Sequence, residues 1–136
     1  MSGEPEMDVI DALLEKPYRI IDILPRQVPA DSPGRYFALE PVLVKDPGLV
    51  RKKLGLLLKL NCYYAMLAGP EGEKPREFSP AELEEWLGSR YLNVLLGGAL
   101  LTADPEDTYM TLYGADEDLL SLTRALAAAE GLFLWE

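Results

Sequence analysis

A chain of 136 residues suffices for one domain that buries roughly two-thirds of its unfolded surface, with no need of a metal or disulfide staple. Apolar residues make up 49% and charged residues 26%, a globular balance that excludes wholesale disorder. The 23 acids outnumber the 13 bases, and the resulting charge of −10 disfavours a phosphate-tracking surface, which needs clustered Lys and Arg.

Histidine is absent, so no Ser-His or Cys-His nucleophile pair and no histidine metal ligand can form. Acid–base chemistry would fall to Asp, Glu, Lys or Tyr with shifted pKa values, and an enzyme is the less favoured expectation. The single cysteine, Cys62, cannot close an intrachain disulfide, which fits a reducing compartment. The acidic start MSGEPEMD has neither a basic n-region nor an apolar h-region, and the 13-residue uncharged run at 91–103 is too short to span a bilayer. These features predict a cytoplasmic protein that engages no membrane and no nucleic acid. The first six residues are expected to be disordered.

Along the chain, Met7 to Lys16 spaces Val9, Ile10, Leu13 and Leu14 as a helix, and Pro17 stops it. Tyr18 to Leu24 is a β-branched strand closed by Pro25. The loop from Leu24 to Phe37 carries three prolines spaced by four, out of step with a polyproline II face, and its Ser32–Arg35 stretch suits a type II turn. Arg35 to Val44 reads as extended, with Pro41 confining it to an edge strand or two short pieces. Asp46 and Pro47 then open a helix, with Val50, Leu54, Leu57 and Leu58 on its buried face and Lys52, Gly55 and Lys59 on a polar stripe. Cys62 to Ala68 reads as a strand.

The strongest local signal is Phe78-Ser79-Pro80 with Glu82 and Leu83, a capping box and hydrophobic staple that start a helix ending near Gly88. Residues 91–103 and 108–114 read as two strands of an antiparallel hairpin over 91–113, joined by Asp104 to Asp107, with Gly97-Gly98 as a bulge or bend in the first. Asp116 caps a helix that Gly131 ends, and residues 132–136 form a C-terminal strand. The sum is a single α+β domain, with a mixed or largely antiparallel sheet of four to six strands and four helices chiefly on one face.

Candidate sites are few. In the 24–37 loop, Arg26, Gln27 and Arg35 could contact a partner, although the loop also reads as a plain connection. Six acids and no base lie between Arg90 and Arg124. Of these, Asp104, Glu106 and Asp107 suit a polar turn better than a metal cage, and neither metal nor cofactor is expected. Cys62 reads as a small core residue and Arg51-Lys52-Lys53 as a solvated helix end. Tyr109, Thr111 and Tyr113 alternate along one strand face, where exposed tyrosines could anchor a partner beside Glu106 and Asp107, unless a helix covers that face and makes them core. Two functions are carried forward. One is an acidic binding or regulatory module for a basic protein, of the inhibitor or immunity type. The other is a small enzyme or ligand-binding protein using carboxylates and tyrosines near Asp22 and the 24–37 loop. A concave pocket over Asp22 would favour the second, and a flat acidic tyrosine face the first.

Overall fold

The computed structural model describes residues 5–136. The expected disorder over residues 1–6 lies, for 1–4, outside the described residues, and the chain is helical from Pro5. The elements run α1 (Pro5–Leu13), β1 (Tyr18–Asp22), α2 (Tyr36–Val44), α3 (Pro47–Asn61), β2 (Met66–Pro70), α4 (Pro80–Ser89), β3 (Leu92–Leu96), β4 (Ala99–Ala103), β5 (Met110–Tyr113), α5 (Glu117–Ala129) and β6 (Phe133–Leu134). The six strands form one sheet in the order β2-β3-β4-β5-β1-β6, and every neighbouring pair is antiparallel. This is the α+β domain that the sequence predicts.

Strand alternation divides the apolar residues between two sides. Ile21, Val94, Leu101, Met110 and Leu112 join the main core, which α3, α4 and α5 cover with Leu56, Leu57, Leu83, Trp86 and Leu119. On the other side Leu100 packs with Ile10 and Leu13 of α1, against Leu95 and Tyr113. α1 therefore covers only part of that outer face. Among the described residues no helix is long and apolar enough to cross a membrane.

Several expectations are corrected. Residues 91–103 are two strands, because Gly97 and Gly98 take φ of 52° and 74° and fold β3 back onto β4, pairing Leu96 with Ala99. Two successive positive φ angles make the tight hairpin turn whose twist matches the strands. The 91–113 region is thus a three-stranded meander. The strand expected at Cys62 starts later, at Met66, since α3 runs on to Asn61 and Cys62 is its exposed C-cap rather than a core residue.

Residues 36–44, read as extended, are the helix α2 with Pro41 inside it. The sequence hides this helix for a physical reason. A helical period appears only when one face is buried and the other wet, and α2 buries no residue at all.

The buried face of α3 is also rotated from the expected one: Leu49, Lys53, Leu56, Leu57 and Leu60 point inward. Lys53, expected to be a solvated end, is only 2% exposed.

Candidate functional site

Asp22 ends β1 on the sheet face that α1 leaves uncovered, in step with Tyr18 and Ile20. After it the chain leaves the sheet as the 24–37 loop and returns as α2, and the loop and helix wall a concavity of about 400 Å³. Its lining brings together Asp22, Tyr36, Phe37, Tyr109 and Trp135. Trp135 Nε1 donates to the Leu24 carbonyl at 2.8 Å, tying the C-terminal strand to the start of the loop. Tyr36 and Phe37 meet edge to face at 5.2 Å, and the Tyr36 hydroxyl donates to Glu40 Oε2 at 2.7 Å across one turn of α2.

Asp22 is 3% exposed. Its Oδ1 accepts from the Ile23 backbone N–H at 2.8 Å. Burial pushes its pKa above the ordinary 3.8, more strongly than the Thr108 hydroxyl, the Ile23 N–H and the Lys53 charge pull it down. The Thr108 hydroxyl is itself buried and reaches no partner in good hydrogen-bonding geometry. Burial and the adjoining Glu40 carboxylate hold the Tyr36 phenol up to about 12. Burial, then the Asp107 and Asp104 charges, also raise Tyr109.

A second concavity, of about 680 Å³, lies toward the C-terminal half of α2. Glu40, Pro41 and Val44 of α2 line it, with Leu49 and Lys53 of α3 and Glu106 of the β4–β5 loop. Here Lys53 Nζ donates to the carbonyls of Asp107 at 2.8 Å and Asp104 at 3.3 Å. Burial lowers the pKa of this ammonium, and the charges of Asp107, Asp104 and Asp22 raise it in part. α2 borders both hollows, the first with Tyr36 and Phe37 and the second with Glu40, Pro41 and Val44.

The residues singled out from sequence are divided by this arrangement. Asp22, Arg26, Gln27 and Tyr109 line the first hollow, whereas Glu106 lines the second and Asp107 supplies a carbonyl to Lys53. Arg35 precedes α2 at its N-cap, is exposed and lines neither. Tyr113 lies away from Tyr109: it packs against the α1 cluster, and its ring meets that of Tyr18 at 5.7 Å. Both tyrosines lie on the outer side of the sheet, opposite the core-facing Met110 and Leu112, and α1 covers the Tyr113 end of that face. Tyr36, Phe37, Glu40, Lys53 and Trp135 belong to the region and were not singled out. Only Lys53 carried a readable signal, being in register with Leu49, Leu56, Leu57 and Leu60 on one helical stripe.

Among the described residues no group of three potential metal ligands converges. No protein-family model, curated protein or solved structure matches this chain.

Proposed function

We propose that this chain is a small acidic module that acts by protein–protein contact, and that a basic partner docks on α2 and the hollows beside it. The observation that carries this is α2 itself. All nine of its residues except Glu40 are apolar or aromatic, none is buried, and Phe37 and Val42 are each 66% exposed. Covering a large apolar side chain is worth roughly 1.5–3 kcal/mol, and a ridge of them left in water is a marked departure from a monomer's surface.

Charge selects among the occupants. Glu40, Asp46 and Glu106 edge one hollow and Asp22 floors the other, on a chain of net charge −10. A second copy would bring like charge against like charge, whereas a basic partner would be drawn in. Replacing Leu39 and Val42 together by Asp tests the reading. Both side chains are exposed, so the melting temperature should hold while capture of the basic partner from native cells is lost. Unchanged capture, or a stable homodimer that the double variant dissociates, would contradict the proposal.

A second reading, a small-molecule-binding protein or small enzyme, is supported by the concave site over Asp22 with its raised pKa. Recognition chemistry is present there. A nucleophile paired with a base is absent among the residues that line it.

A further inference from the structure

The hollow over Asp22 has a composition that narrows what it can hold. The aromatic residues Tyr18, Tyr36, Phe37, Tyr109 and Trp135 line a space of about 400 Å³ together with Asp22. Aromatic faces are electron-rich and attract cations within about 6 Å of the ring centre, most strongly when water is displaced. The chain already uses this contact elsewhere: the Arg76 guanidinium lies 5.0 Å from the centre of the Trp86 ring.

The hydrogen-bonding groups agree with the rings. The Tyr36 hydroxyl spends its proton on Glu40, and the Trp135 N–H on Leu24. Those two donors are therefore unavailable to an anion, while the Asp22 carboxylate remains an acceptor. Arg26 is the cation on the described lining, and it is exposed, at the loop. Against it stand Asp22 on the floor and the charges of Glu40 and Asp107 around Tyr36 and Tyr109.

We propose that this hollow binds an organic cation, the guanidinium or alkylammonium end of an arginine or lysine side chain that a basic partner inserts beside α2. The site rests on the reading of the chain as a module for a basic partner, and gives that partner an anchor. The same chemistry would accept a free cationic ligand, so the test separates the two sources.

The probes are N-acetyl-arginine-methylamide, its lysine counterpart, the neutral isostere N-acetyl-citrulline-methylamide, and free arginine, each titrated into the whole chain by NMR. The capped arginine and lysine probes should shift resonances of residues around Asp22, Tyr109 and Trp135 and saturate. The citrulline probe should bind at least tenfold more weakly. Asp22→Asn should weaken the arginine probe about tenfold, Phe37→Ala, at an exposed position, several-fold, and Arg26→Gln should strengthen it. A capped probe that outcompetes free arginine identifies a partner's side chain as the occupant, and the reverse order identifies a small molecule. Equal binding of citrulline and arginine, shifts elsewhere on the chain, or indifference to Asp22→Asn would overturn the site. These results are read apart from docking. Lost capture by the Leu39 and Val42 variant without probe binding removes this inference alone, and probe binding with unaffected capture removes the docking reading alone.

Discussion

The ammonium of Lys53, at the second inward position of a stripe that runs along α3, donates to the backbone carbonyl of Asp107 across 2.8 Å. A second bond reaches the Asp104 carbonyl, so one buried cation holds the β4–β5 loop against the helix. The loop's acids are thereby fixed at the edge of the hollow that Glu106 lines. Removing a buried charged donor leaves its acceptors unsatisfied and the neighbouring acids unbalanced. Lys53→Ala should therefore cost about 3 kcal/mol, and Lys53→Met less, since its stem fills the same space. Urea melts measure both, and a Lys53→Ala protein as stable as the parent would contradict the clasp.

Asp22 predicts the opposite sign. Its pKa is raised on folding, so the folded chain holds the proton more tightly than the unfolded one. The ionised carboxylate then costs stability at neutral pH, and that cost fades as pH falls from the folded pKa towards 3.8. Asp22→Asn should melt at a higher temperature than the parent at pH 7, with the gap closing near pH 4. A variant that gains stability and loses cation binding marks a group retained for recognition. A lower melting temperature at pH 7 would show that Asp22 is a structural group instead.

At α4, Ser79 Oγ accepts from the Glu82 N–H at 3.1 Å, and Glu82 Oε1 accepts from the Ser79 N–H at 2.9 Å. Ser79→Ala should cost about 1 kcal/mol in denaturant melts. The Arg76 guanidinium, then the Ser79 N–H, hold the Glu82 carboxyl down to about 2 from 4.5. A depressed pKa gives stability that is complete above 4.5 and lost as pH falls through about 2. Arg76→Gln should flatten the parent's acid dependence within that window, as followed by circular dichroism.

The hairpin turn between β3 and β4 reverses a common preference. Asn-Gly is the usual choice where both turn residues have positive φ. Here a Cβ on Gly97 would come within 2.8 Å of the Tyr64 ring, while one on Gly98 would meet nothing within 4 Å. Gly97→Asn should therefore destabilise by about 1–3 kcal/mol, the range for overpacking, and Gly98→Asn by clearly less. Thermal melts of the two variants decide it, and equal costs would mean that Tyr64 moves aside freely.

Elements with a buried face and a capped end were legible in the sequence, and those without were not. Ser79 with Glu82, and Asp116 with its following acids, gave α4 and α5 their starts, and both caps are present. α2 left no such trace: Arg35 offers no side-chain cap, Pro41 argues against a helix, and an unburied helix has no apolar period. Its exposure is a tertiary fact, and so is the hollow beside it. Asp22 and Tyr109 were recognisable as polar or aromatic interruptions near strand ends. Their meeting with Tyr36, Phe37 and Trp135 depends on β5 and β6 flanking β1, and one sequence does not order strands. Lys53 was open to better reading, because a lysine in register with four inward leucines needs a buried partner.

If α2 is a contact face for a basic protein, site-directed photo-crosslinking in the native cell will find that protein there. A photoreactive residue at Val42 probes the ridge. One at Tyr63, also exposed and beyond the C-terminal end of α3, a 15-residue helix roughly 22 Å long, serves as the control. The expected result is an adduct at Val42 with a basic protein, none at Tyr63, and loss of the Val42 adduct when Glu40 and Glu106 are both changed to Lys. No adduct at Val42, an adduct with a second copy of this chain, or one that survives the charge reversal would contradict it.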